Sequence, residues 1–146
     1  MATSTMGPDA PSRNLGRSAE ALFAGFLAVV VLSLGTDVVL HALKIFPPLG
    51  QSMSDPLFLL ATAYRTIYGI VGSYITARLA PQRPMQHALL GGAIGLVLAT
   101  IGAAVTWNKT ELGPHWYPVA LIVTAMPTAW FGGRIRVRQL RERASG

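Results

Sequence analysis

The sequence predicts an all-α membrane protein, a four-helix transmembrane bundle with antiparallel neighbours and with N- and C-termini cytoplasmic. Three observations predict it. Hydrophobic residues make up 51% of the chain and charged residues 12%, about half the charge content of a soluble domain. The charges gather at the ends of apolar runs rather than along a polar face. Prolines and turn residues divide the chain into four such runs, each near the ~20 residues needed to cross ~30 Å of hydrocarbon.

Residues 1–17 are polar and rich in Ser, Thr, Pro and Gly. They hold too little apolar surface to pack, which predicts a disordered cytoplasmic tail. Residues 18–135 form the transmembrane domain. Its first helix covers about 18–46, with 16 uncharged residues between Glu20 and Asp37. Arg13 and Arg17 precede it as in a signal peptide, but no small-x-small site closes a short apolar core, so the helix is read as uncleaved. Pro47-Pro48 stops it.

The second helix covers about 54–79, with Asp55 placed to cap it and Pro56 in its first turn. Ala80-Pro81 ends it. The third covers about 85–107, inside the 25 uncharged residues between Arg83 and Lys109. The fourth covers about 115–133, inside the 22 uncharged residues between Glu111 and Arg134. Pro127 is interior and predicts a kink unless neighbours satisfy the freed carbonyl. Residues 136–146 are read as a basic cytoplasmic tail that lies on the membrane surface or frays.

Orientation follows from the cations. With the N-terminus inside, nine arginines (13, 17, 78, 83, 134, 136, 138, 141 and 143) face the cytoplasm, against Lys44 and Lys109 outside. That is a strong positive-inside bias. Trp107, Trp116 and Tyr117 mark the outer boundary and Trp130 the inner one. The expected setting is a multi-pass protein of a bacterial inner (plasma) membrane. Partners follow from it: the lipid bilayer, and anionic lipid headgroups at the basic cytoplasmic face. The net charge of +6 is placed for lipid and not for nucleic acid.

Small residues four apart let helices approach closely in lipid. They occur as Gly69/Ser73/Ala77, Gly91/Gly95/Ala99/Ala103 and Ala125/Ala129/Gly133. They predict packing within the bundle. A homo-oligomer seam, most plausibly on the third helix, or a place in a larger membrane complex stays open.

Asp37 and Arg65 are the ionisable residues set well inside spans. A charge near the bilayer centre costs about 2.5–3.5 kcal/mol on insertion scales, so neither is expected to stand alone. Each lies nine residues, about 13 Å along a helix, from the loop joining the first two spans. Antiparallel neighbours bring them to one depth, which predicts an ion pair. Ser33, Asp37 and His41 share a stripe at i, i+4, i+8. On the second helix Arg65, Tyr68, Gly69 and Gly72 share a polar or small face, opposite apolar Phe58, Ile67 and Val71. Tyr64 or Tyr68 is placed to donate to Asp37. The pair reads either as a structural tie or as an ion, proton or solute site.

Other chemistry finds no footing. The chain has no cysteine, which excludes disulfide, thiolate and Fe–S chemistry. Metal or haem needs two facing ligands at one depth; with His87 on the inner side, only His41 and His115 on the outer side could supply them, and one lies beside a loop, so no such site is expected. No nucleophile elbow, zinc-protease motif or phosphate-binding glycine loop occurs. Asn108-Lys109-Thr110 matches a glycosylation sequon, which matters only in a secretory pathway. Four spans in so short a chain resemble, in number, the small multidrug transporters and fluoride channels of bacteria. The charged residues do not follow either pattern, and no family is assigned. No catalytic, cofactor or metal residue is expected. The leading expectation is a non-enzymatic accessory or structural membrane component; the alternative is a small oligomeric transporter or channel using Asp37 and Arg65.

Overall fold

A computed structural model describes residues 10–146, with side chains from residue 14. Over these residues the chain is all-helical: α1 (Ala10–Ala42), α2 (Asp55–Leu79), α3 (Pro84–Thr106) and α4 (Trp116–Ser145), with a single 3-10 turn at Thr110–Leu112 before α4. α1 and α3 are long and apolar enough to cross a membrane. α2 and α4 carry more polar groups and fall short of that measure.

α2 and α4 form the central pair. α1 packs on α2, α3 packs on α4, and α1 and α3 scarcely meet. The exposure pattern inverts that of a soluble bundle. The most buried residues are small, Ala21, Ala61, Ala77, Ala88 and Ala129 among them. Large apolar side chains such as Phe23, Val38, Val97 and Val105 lie outside. Burial of large side chains drives assembly in water. Here the helices meet through close approach of their backbones.

That approach is specific. A Cβ on Gly132 would stand 2.6 Å from the Ile70 carbonyl oxygen and 2.7 Å from the Tyr74 nitrogen. One on Gly133 would stand 2.9 Å from the Ala88 Cβ, and one on Gly92 would collide with Ala129. Between α1 and α2, Gly25 and Gly72 meet backbone to backbone, and a Cβ on Gly25 would strike the Thr76 hydroxyl. The Gly69/Ser73/Ala77 stripe faces α4 and the Ala125/Ala129/Gly133 stripe faces α3. The stripe expected on α3 is met only in part: Ala103 is buried, but Ala88 and Gly92 take the inner contacts, whereas a Cβ on Gly95 meets nothing within 4 Å.

Four boundaries differ from the sequence reading, each for a local reason. The helical segment begins at Ala10, inside the stretch read as a disordered tail; residues 1–9 lie outside the described residues. α1 stops at Ala42, short of Phe46, because Lys44 turns left-handed (φ 58°). The Ile45 and Lys44 N–H groups then bond back to the Leu40 and His41 carbonyls at 2.9 and 3.0 Å, a Schellman closure. Ser54, not Asp55, holds the cap position of α2, without a side-chain bond. The Asp55 carboxylate instead accepts the Trp116 indole N–H at 3.4 Å.

The largest difference is at the end of α4. Its helix continues through Ser145, where a surface-lying or fraying tail was expected over 136–146. Gly132 and Gly133 read as a stop but serve close packing. Beyond them, Arg-Ile-Arg-Val-Arg-Gln-Leu-Arg-Glu-Arg-Ala contains no proline or glycine and is rich in helix formers. Its basic residues complement the dipole at the helix end. The helix is also uninterrupted at Pro127, whose ring lies on the exposed side.

Candidate functional site

The joint between α1 and α2 builds the site. After the Schellman turn the chain folds Phe46 inward, where it is 4% exposed against Ala61 and Tyr64. Leu40, Met53, Leu57, Tyr68 and Tyr117 complete this cluster. It locks α1 beside α2 with Asp37 and Arg65 at one level.

The structure brings these two together: Arg65 Nη2 donates to Asp37 Oδ2 at 2.7 Å. Tyr64, 8% exposed, donates its hydroxyl to the other carboxylate oxygen. Arg65 Nη1 donates to the Tyr117 hydroxyl on α4. The guanidinium carbon lies 5.9 Å from the Tyr64 ring centre and 5.8 Å from that of Tyr117, within cation–π range. Three helices thus share one network, and each carboxylate oxygen has a donor. The side chains of Arg65 and Asp37 keep 31% and 21% of their accessible surface.

The neighbouring polar residues take separate places. Tyr68 pairs with the Thr36 hydroxyl at 2.7 Å, not with Asp37. His41 donates from Nδ1 to the Asp37 backbone carbonyl at 2.7 Å and sets its ring edge-on to Phe46. It reaches past the carboxylate. Ser33, one turn below Asp37, joins no bond of the network and lines a groove between α1 and α3.

Tyr117 is the participant that sequence reasoning missed. Its place in an aromatic boundary cluster concealed its role. The available signal was reach: a guanidinium on a long stem extends toward the helix end, where a phenol at the start of α4 meets it. Phe58 was also assigned outward. It is 4% exposed, packed 5.0 Å from the Tyr117 ring and beneath Gly113. It buttresses the phenol that Arg65 uses.

The remaining histidines make local bonds. His115 stacks on Trp107 with centroids 4.4 Å apart and reaches the Trp107 carbonyl at 2.8 Å. His87 ties α3 to Ser18 of α1 at 2.9 Å. Among the described residues no three His, Asp or Glu side chains converge on a metal position.

The network is suited to holding charge. Both carboxylate oxygens of Asp37 and both Nη groups of Arg65 already have partners within it. Compared with known proteins, the chain matches no family model, no curated protein and no solved structure.

Proposed function

We propose that this protein is a multi-pass membrane protein, a bundle of four spans with both termini cytoplasmic, acting as a non-enzymatic accessory or structural component. The observation that carries the reading is the pairing of two features: large apolar side chains turned outward on α1 and α3, and a charge network turned toward α1, α2 and α4. Outward apolar surface of that extent suits a lipid solvent. A charge pair whose donors and acceptors come from three helices suits a tie that sets helix register. The cation asymmetry supports the orientation and supports contact of the Arg134–Arg143 face with anionic lipid.

A charge-swap series tests the tie. Asp37→Asn and Arg65→Gln are each expected to lower membrane accumulation and thermal stability in detergent. Asp37→Arg combined with Arg65→Asp is expected to restore part of both. Singles that fold normally would remove the structural role. A reporter fused after Gly146 tests the orientation, with cytoplasmic signal expected.

The second reading, a small oligomeric transporter using the same pair, draws on the groove that runs to Arg65. Flux into proteoliposomes that disappears in Asp37→Asn, while the protein stays folded, would favour it.

A further inference from the structure

Arginines gather where α2 stops and α4 runs on, and two of them are held differently from the rest. Gly132 presses on the α2 backbone at Ile70 and Tyr74. The Tyr74 hydroxyl donates to Gln139 Oε1 at 3.0 Å. These contacts fix the last turns of α4 against the end of α2. Arg78, one turn beyond Tyr74, reaches toward the same hydroxyl, and Arg136 brings its charge to bear there from α4. Guanidinium groups from two helices are thus directed at one spot. The Gln139 amide nitrogen, turned away from Tyr74, is a further donor beside them.

Among the described residues nothing neutralises this pair of cations. The one ion pair there is Asp37–Arg65, near the opposite end of the bundle, so neither Arg78 nor Arg136 meets a carboxylate. Like charges held close repel unless an anion stands between them. Their neighbours are placed otherwise. Arg134 lies over the Trp130 ring, 4.8 Å from its centre, and Arg138 and Arg141 are exposed on α4. Arg78 is exposed and Arg136 half-buried, so the seam between them is open to an anion. Guanidinium forks match the paired oxygens of a phosphate.

The approach to the seam points to the source of that phosphate. Ile67, Val71, Tyr74 and Arg78 recur at i, i+4, i+7 and i+11 and share one face of α2. Ile67 and Val71 are 58% and 37% exposed. Over about 16 Å of helix rise this face passes from bare aliphatic side chains to a phenol and then a cation. A phospholipid has the same sequence of polarity, whereas a free phosphate makes no use of the aliphatic part.

We propose that the α2–α4 seam holds one anionic phospholipid, its phosphate between Arg78 and Arg136 and an acyl chain along Ile67 and Val71. The inference rests on the membrane reading above and deepens its lipid contact, setting a discrete seat within a diffuse basic face. Arg138 and Arg141 attract the same lipids without holding one in place.

The probe is phosphatidylglycerol with a diazirine in its acyl chain, a minor component of phosphatidylcholine vesicles carrying the full-length protein. After photolysis, labelling is expected to concentrate at Ile67, Val71 and the side chains around them. It should fall roughly tenfold in Arg78→Gln with Arg136→Gln, equivalent to ~1.4 kcal/mol. Arg138→Gln with Arg141→Gln removes the same charge from exposed positions and should leave labelling unchanged. Arg78→Gln alone alters an exposed side chain and should lower labelling severalfold, which keeps the test open if the double variant fails to fold. Equal losses in the two double variants overturn the discrete seat in favour of a diffuse field. Equal labelling by a phosphatidylcholine probe of the same design overturns the need for an anionic head. Labelling abolished by inorganic phosphate at matched ionic strength overturns the lipid as occupant. The membrane reading is scored separately by carbonate extraction, where release into the soluble fraction would sink it. Native mass spectrometry in neutral micelles with added phosphatidylglycerol tests the seat whatever that result, and retention of the lipid that ignores Arg78→Gln overturns it.

Discussion

The two ends of this bundle are held together by opposite means. Near the α1–α2 joint, side chains are large and polar bonds cross between helices: Asp37, Tyr64, Arg65 and Tyr117 form one network, with Thr36 and Tyr68 beside it. Toward Leu79 and Gly133 the helices touch mainly through glycine, alanine and threonine, with side-chain bonds only at the margin, Tyr74 to Gln139 and His87 to Ser18. At the first end helices stand apart and reach across. At the second they stand close and need no reach. A polar bond tolerates some adjustment of rotamers, whereas a backbone-to-backbone contact tolerates none. The comparison therefore predicts unequal sensitivity to substitution.

The largest effect is expected at the close-packed end. Gly132→Ala places a methyl 2.6–2.7 Å from α2 backbone atoms that cannot yield. It should cost about 3 kcal/mol or more, as severe overpacking does, and appear as a loss of detergent-resistant folded protein. Next comes Asp37→Asn, which leaves Arg65 charged without its counter-ion. Breaking a fully buried pair costs about 3–5 kcal/mol; partial exposure of both side chains should bring this to ~2–3 kcal/mol. Thermal melts of the single variants and of Asp37→Asn with Arg65→Gln check it, the double variant being less damaged than the sum of the singles. Tyr64→Phe and Tyr117→Phe each remove one hydrogen bond and should cost about 1 kcal/mol. The smallest effect belongs to Gly95→Ala, at an open helical position. It should be neutral or raise stability by up to ~1 kcal/mol through helix propensity. A harmless Gly132→Ala would break the comparison outright. A neutral Tyr117→Phe would sharpen it, reducing the network to α1 and α2.

Much of this architecture was legible in the chain. Pro47-Pro48, Pro81, Pro84 and Pro114 mark the joints because proline is tolerated at a helix start and disfavours continuation elsewhere, although α4 carries Pro127 without interruption. The meeting of Asp37 and Arg65 was legible because equal spacing from one hairpin fixes equal depth. What escaped depends on rotation and reach, which spacing alone leaves free. Gly91 and Gly92 are adjacent, and only the lie of α3 against Ala129 selects Gly92. Gly132-Gly133 reads equally as a stop or a contact, and Ser73 and Ala88 across the interface decide it. Tyr117 entered the site through the length of the Arg65 side chain, a distance no periodicity encodes. Lys44 gave no warning of its left-handed turn, since nothing in a lysine announces that conformation.

The unbroken α4 has a mechanical consequence. It occupies the centre of the bundle, holds Tyr117 of the charge network near its start, and runs on to Ser145. The 12 residues from Arg134 to Ser145 form a rod about 18 Å long. Its base is clamped where Gly132 and Gly133 press against α2 and α3, contacts that leave no room for a swing at Pro127. The rod's five arginines, Arg134 to Arg143, are therefore held at fixed heights and bearings relative to the bundle, as on a cantilever.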